Sequence, residues 1–311
     1  MNGQKILVTG GAGFIGSHLT AALVKTGSHV VVYDNLSTGR PENVPPGAVL
    51  IRADMLDLTR LQLAVAEADI VVHLAARVSI RASMDGFYED AETNLMGTVN
   101  LLRALRGSHV AKLVFASSMA VYADMDGRPS LKETDTTEPI SAYGISKLAA
   151  EKYMLLLGGT LGIKVAVLRF FNTYGPGQRY TPYVGVVTIF INRLLNNEPI
   201  TIYGTGEQRR DFVSVYDVVR CTIAAMKWQG DAGIFNVGSG KATSVNELAD
   251  MIIRKLAPGA KAVHQAEQTG EIKNSIADIS HARATLGYQP SDRLPDFIDA
   301  IIAAQKANPT A

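Results

Sequence analysis

The chain has 311 residues, enough for one large domain with an appendage or for two unequal domains. Its 30 basic and 29 acidic residues are scattered rather than blocked, and the net charge of +1 leaves no electrostatic footprint for nucleic acid or an anionic membrane surface. A single cysteine, Cys221, excludes an intrachain disulfide and a thiolate metal cluster, no apolar run reaches transmembrane length, and the N-terminus enters a strand directly, so a reducing, cytoplasmic setting is expected.

The first predicted element is a strand, Lys5-Ile6-Leu7-Val8-Thr9, which runs into Gly10-Gly11-Ala12-Gly13-Phe14-Ile15-Gly16 and then an amphipathic helix over Ile15 to Val24. Gly11, Gly13 and Gly16 satisfy G-x-G-x-x-G, and Gly10, Gly13 and Gly16 satisfy G-x-x-G-x-x-G. The early glycines permit the tight turn and let backbone N–H groups approach a pyrophosphate at a helix N-terminus, while Gly16 lets the helix pack closely on the strand. A second strand, His29 to Tyr33, ends at Asp34. An acid at a strand end about twenty residues past the glycines accepts from a ribose 2′-hydroxyl and repels a 2′-phosphate, which favours NAD over NADP.

Further apolar, β-branched runs follow at Val49-Leu50-Ile51, Ile70-Val71-Val72, Leu113-Val114-Phe115 and Val165-Ala166-Val167-Leu168, with helical patterns between them. Strands of this kind are covered on both faces, so the fold class expected is α/β, a Rossmann-type doubly wound parallel sheet. Ser117 and Ser118 close the fifth strand, and strand C-termini are where ligands sit in such sheets. In Tyr143-Gly144-Ile145-Ser146-Lys147 the tyrosine and lysine lie one helical turn apart on one face. An ammonium beside a phenol favours the phenolate, so Lys147 is expected to move Tyr143 from its reference value near 10 toward neutrality. His73 reads as a satisfied core histidine, and no His/Cys/Asp cluster has metal spacing. From Asn172 Gly and Pro cluster, with helices at Val187 to Leu195 and Val245 to Leu256. The organisation expected is residues 1–171 mainly for the cofactor and 172–311 for a smaller mixed α/β region, interleaved with the end of the sheet.

These motifs, together with Asp54-Met55, His73-Leu74-Ala75-Ala76, Asn94, Arg169 to Gly177, Arg209 to Val213 and Ala277-Asp278-Ile279-Ser280, resemble the nucleotide-sugar epimerase/dehydratase branch of the extended short-chain dehydrogenase/reductase family over nearly the whole chain. The resemblance implies NAD held by Gly10, Gly13, Phe14, Ile15, Gly16, Asp34 and Asn35, with Asp54 and Met55 flanking the adenine. It places Ala75 and Ala76 beneath the pyrophosphate and Asn94 along the cofactor channel. Tyr143 is then the acid/base, Lys147 holds the nicotinamide ribose, and Ser118 hydrogen-bonds the reacting hydroxyl. Asn172, Arg210, Glu271 and Ser275 fall among the substrate contacts, with a nucleotide sugar, expected to be UDP-linked, as ligand and a homodimer as assembly. The residues alone leave Asn172 open to capping the turn before Gly175, and Arg210 to pairing with Asp211.

Two departures from the family pattern bear on activity. Gln268 stands where a phosphate-binding arginine is expected, in Gln268-Thr269-Gly270-Glu271, and Met119-Ala120 stands where 4,6-dehydratases carry Asp-Glu. Dehydration needs titratable groups at carbon and at the leaving hydroxyl, which Met and Ala do not supply. C4 epimerisation through a transient 4-keto sugar, with NAD kept bound, is therefore the leading expectation. A 4,6-dehydratase, a 4-ketoreductase and a non-catalytic NAD-binding sensor are the alternatives. Ser275 aligns with a position beside the sugar's 2-substituent, and its small size is expected to admit N-acetylhexosamines.

Overall fold

The structure is a computed structural model that describes residues 1–123, 127–181, 184–267, 274–291 and 293–307. Its strands are β1 Lys5–Thr9, β2 His29–Asp34, β3 Ala48–Arg52, β4 Ile70–His73, β5 Lys112–Ser118, β6 Lys164–Phe170, β7 Asn172–Tyr174, β8 Thr201–Tyr203, β9 Arg209–Ser214, β10 Ala232–Val237, β11 Ala242–Ser244, β12 Val263–Gln265 and β13 Asn274–Ser275. The helices are α1 Phe14–Lys25, α2 Leu58–Ala66, α3 Ile80–Asp85, α4 Phe87–Ala91, α5 Gly97–Ala104, α6 Ala142–Thr160, α7 Val186–Leu195, α8 Val215–Lys227, α9 Val245–Leu256, α10 Ser280–Leu286 and α11 Leu294–Ala307.

Seven strands form a parallel sheet in the order β10-β6-β5-β4-β1-β2-β3. Strand alternation sends successive side chains to opposite faces. Ile6, Val8, Val72, Val114 and Leu168 therefore enter one core layer with α1 and α8, while Leu7, Val71, Leu113, Phe115 and Val167 enter another with α2, α5 and α6. Each fully buried Val, Leu or Ile contributes about 1.5–3 kcal/mol of transfer free energy. On α1 the buried positions are Gly16, Leu19, Thr20 and Leu23, the spacing of one helical face.

The strand order reverses between β1 and β4, and a crevice opens outside their C-terminal ends. β10 was not anticipated. Its Ala-Gly-Ile-Phe-Asn-Val run is short on β-branched residues, yet it pairs with β6 over its full length. The region after Asn172 thus returns to the sheet. It also builds its own layer, in which β7, β9, β11 and β13 pair and α7, α9 and α11 enclose a third core around Phe190, Ile191, Leu248 and Ile301.

Candidate active site

The turn after β1 is forced by backbone geometry. Gly10 has φ +71, and a Cβ there would lie 2.7 Å from the Ala75 amide nitrogen, so only glycine lets the β1 and β4 loops approach at the switch point. Gly13 is the N-cap of α1 and no side chain caps that helix, so the N–H groups of Phe14 and Ile15 head an uncapped twelve-residue helix. Gly16 packs against the same turn. Asp34 closes β2, its Oδ2 accepting from Ala12 N at 3.0 Å and its Oδ1 from Leu36 N at 2.8 Å. A carboxylate offers about four lone-pair sites, so two remain for a ligand.

Asn35 donates to Asp54 at 2.7 Å, which brings those two expected residues together. Met55 is buried in the core layer under α5, where Gly97 leaves space for its Cβ, and its side chain offers little to a ligand. Ala75 and Ala76 follow β4 and are half-buried. Asn94 is the residue expected along the cofactor channel. It is buried in a π-helical turn, Glu92–Met96, and its amide is spent on Arg77 O at 3.0 Å, Asp90 at 3.0 Å and Ser146 at 3.3 Å while its oxygen accepts from Arg77 N at 2.8 Å. It holds the loop after β4 in place rather than presenting free donors, and insertions of this helical type recur at functional sites.

Helix α6 begins where Ser141 Oγ accepts from Gly144 N at 3.1 Å. Gly144 is required there, because a Cβ would sit 2.2 Å from the Ala120 carbonyl oxygen; the helix start rests directly on the turn that follows β5. Ser83 Oγ accepts from the Tyr143 amide at 3.0 Å. Tyr143 (7% exposed) and Lys147 (3%) consequently face the end of β5, where Ser118 hydrogen-bonds the phenol and its Oγ also accepts from Ala120 N at 3.2 Å. Met119 and Ala120 are both buried and apolar.

The expected pull of Lys147 on Tyr143 is corrected by burial. Removal of the phenol from water pushes it up to about 12, the nearby Asp90 charge adds to the rise, and the Ser118 hydrogen bond opposes it. Burial likewise pushes Lys147 down to about 8, against Glu151 and Asp90, which hold it up. Desolvation outweighs the single-turn spacing that the sequence displayed. The Lys147 ammonium stands 4.6 Å over the Phe115 ring. A nearly buried lysine at the end of β5, an uncapped helix N-terminus and a carboxylate with spare lone pairs together fit a dinucleotide laid across the switch point.

His73 is a core histidine. Its ring nitrogens are hydrogen-bonded to Thr9 Oγ1 at 2.7 Å and Thr98 Oγ1 at 3.0 Å, and burial pushes it down to about 3, so it is neutral. No group of His, Cys, Asp and Glu among the described residues has a metal-holding arrangement.

Three expected substrate residues converge from distant parts of the chain. β9 pairs with β13 along its first half and with β7 along its second, Ser275 is in register with Arg210, and Asn172 Nδ2 approaches Ser275 Oγ at 3.5 Å and donates to Asp211 O at 3.2 Å. Asn172 is thus the first residue of β7, not a turn cap. Asp211 is committed elsewhere, accepting from Ser239 N at 2.6 Å, Ser239 Oγ at 2.6 Å, Gly240 N at 2.9 Å and Ala277 N at 3.1 Å. Ser275 is 0% exposed, and Asn172 is the expected substrate residue that its hydroxyl meets. Gln268 and Glu271 lie outside the described residues.

The sequence pattern gave no role to Ser83, Asp90, Gly144 or Glu151, and offered Asp211 only as a partner of Arg210. Gly144 alone carried a local signal, a glycine in the first turn of a predicted helix.

Residues 6–238 match the model of the NAD dependent epimerase/dehydratase family. A Methanocaldococcus jannaschii protein, described as a putative UDP-glucose 4-epimerase, is 37% identical over 305 residues, covering 97% of this chain and 99% of its own. A Bacillus cytotoxicus UDP-N-acetyl-alpha-D-glucosaminuronate decarboxylase is 35% identical over 305 residues, with 93% of each chain covered. The crystal structure of a Thermotoga maritima UDP-glucose 4-epimerase with UDP-glucose superposes with a TM-score of 0.93 at 34% identity, over 98% of this chain and 99% of that one.

Proposed function

The chain belongs to the NAD-dependent epimerase/dehydratase family, and from that premise we propose that it epimerises a UDP-hexose or UDP-N-acetylhexosamine at C4 by transient oxidation to the 4-keto sugar. The observation that carries this reading over dehydration is the pair beside the reacting residues. Tyr143, Lys147 and Ser118 are assembled at the mouth of β5, while Met119 and Ala120 next to them hold no proton to give or take.

When bound, NAD supplies a reversible two-electron oxidation at C4 and a positively charged ring. The uncapped start of α1 would hold its pyrophosphate, Asp34 its adenosine ribose and Lys147 its nicotinamide ribose. Tyr143 acts as the base in its phenolate form: the Lys147 ammonium and the positive ring of bound NAD would offset the burial that otherwise keeps the phenol protonated, its own proton leaves to solvent as that form is set up, and the phenolate then takes the proton from the sugar O4. Ser118 donates to the same oxygen and fixes its distance from Tyr143. The proton returns from Tyr143 to O4 after the 4-keto sugar has presented its other face. Arg210 would meet the diphosphate, for which a planar guanidinium is suited, and Asn172 would orient the sugar next to Ser275. On this reading residues 1–171 mainly serve the cofactor and 172–311 the nucleotide sugar.

Purified protein incubated with UDP-glucose, UDP-galactose, UDP-GlcNAc and their dTDP- and GDP- counterparts, without added NAD, is expected to interconvert C4 epimers of UDP-sugars by NMR. Acid denaturation is expected to release NAD near stoichiometry. Release of no nicotinamide, a strict need for added NADPH, or accumulation of a 4-keto-6-deoxy sugar sinks the proposal.

A homodimer is part of the same reading. α4 and α6 pack on one another, and together they expose Phe87, Tyr88, Ile145 and Leu156, the last 70% exposed. Ile145, Tyr153 and Leu156 share one face of α6, and an apolar patch of this kind on a soluble fold marks an interface. Light scattering is expected to give the mass of two chains for the wild type and of one chain for Leu156→Arg; an unchanged mass removes this face from the assembly. No described helix is long and apolar enough to cross a membrane, and Cys221 is a free, buried thiol, which supports a cytoplasmic setting.

A further inference from the structure

Asp90 is a buried carboxylate that none of the steps above uses. It lies on α4 and is 1% exposed. Its Oδ1 accepts from Ser146 Oγ at 2.6 Å and its Oδ2 from Asn94 Nδ2 at 3.0 Å. Ser146 immediately precedes Lys147, and its Oγ also reaches the Tyr143 carbonyl at 3.0 Å. One carboxylate therefore ties α4, the π-helical turn and the reacting face of α6 together.

Two neutral donors do not offset the cost of burying a negative charge. The cations that act on Asp90 are Lys147 and Arg77, and Arg77 is exposed. From the other side, Lys147 is faced by Glu151 on its own helix, Asp90 on α4, neutral His73 at the end of β4, and the Phe115 ring. Glu151 is already engaged with Arg169, whose Nε and Nη2 donate to it at 3.0 and 2.8 Å. The remaining charged groups of α3 and α4, Arg81, Asp85 and Glu89, are exposed.

We propose that Asp90 is a positioning residue for the reacting pair, the buried counter-charge that keeps Lys147 an ammonium and, through Ser146, fixes the turn of α6 that carries Tyr143 and Lys147. This rests on the reading of Lys147 as the nicotinamide-ribose ligand. The charge of Asp90 holds the proton on Lys147 and also disfavours the Tyr143 phenolate, so its removal moves both ionisations toward lower pH. A residue that only packed the helix would move neither.

The test uses Asp90→Asn, close in shape and without charge, and Ser146→Ala, which removes the hydrogen bond and keeps the charge. NAD affinity of cofactor-stripped protein is measured by calorimetry from pH 6 to 9, with the pH profile of kcat/KM beside it. In Asp90→Asn the pH at which NAD affinity declines is expected to fall by about one unit, making binding weaker by about fivefold at pH 8 and by about tenfold at pH 9 while binding at pH 6 stays close to wild type. The kcat/KM profile is expected to move the same way as a whole, Ser146→Ala to keep the wild-type pH midpoint, and Asp90→Glu to restore it. An unshifted midpoint in Asp90→Asn, or an equal shift in Ser146→Ala, overturns the proposal. Should Asp90→Asn not fold, Asp90→Ser makes the same comparison, keeping an accepting oxygen without the charge. Because NAD binding is read without a sugar, wild-type inactivity on every nucleotide sugar sinks the epimerase reading and leaves this measurement standing.

Discussion

Tyr143→Phe is expected to lower turnover by a factor of about 10² to 10⁴, the usual contribution of a positioned acid–base group, while leaving NAD content unchanged. The substitution removes one hydroxyl from a ring that is otherwise packed, so the fold and the start of α6 stay as they are: the Tyr143 amide still donates to Ser83 Oγ at 3.0 Å, and Ser141 still caps the helix. On the proposed reading, what disappears is the group that exchanges a proton with O4; among the described residues beside it, Met119 and Ala120 are apolar and His73 is held neutral between Thr9 and Thr98. Steady-state rates with UDP-glucose, set against the nicotinamide released on denaturation, read both quantities. A loss of less than tenfold would assign the proton to another residue, and a parallel loss of NAD would mean that the phenol holds the cofactor.

The second large effect is expected on stability. Arg169 on β6 is almost fully buried, donates twice to Glu151 and once to the Glu133 carbonyl at 3.2 Å, and stands 4.7 Å over the Tyr122 ring. Glu151 also accepts from Ser117 Oγ. Arg169→Met keeps most of the stem volume but leaves Glu151 an uncompensated buried charge, which costs about 3–5 kcal/mol against a total of about 5–15 kcal/mol for a protein. Removing both charges in Arg169→Met/Glu151→Gln is expected to recover part of that loss, because the penalty belongs to the stranded carboxylate more than to the missing attraction. Urea denaturation of wild type, single and double variants reads the difference; a double variant no more stable than the single would place the whole effect in the packing of Arg169 on Tyr122.

The main sheet was legible because local pattern and tertiary role coincide there. Val30 to Val32, Ile70 to Val72 and Val165 to Leu168 carry continuous apolar character because both faces of those strands are covered, and Gly10 and Gly13 carry theirs because backbone must pass close to backbone. β10 was illegible. Its residues have little intrinsic strand character and pair with β6 because they arrive at an open parallel edge.

At the site, the dinucleotide turn, the acid at the end of β2 and the one-turn spacing of Tyr143 and Lys147 are readable from the chain alone, since each is a relation between residues near in the chain. Tertiary structure alone decided the rest. The convergence of Asn172, Arg210 and Ser275 depends on β9 pairing with both β7 and β13, the seating of α6 depends on Gly144 meeting Ala120, and Asp90 and Glu151 acquire their meaning from what surrounds them. Ionisation shows the division most clearly. The sequence placed an ammonium beside a phenol, but the sign of the shift at each belongs to the amount of water removed from them, and that quantity exists only once α4, α6 and β5 have packed together.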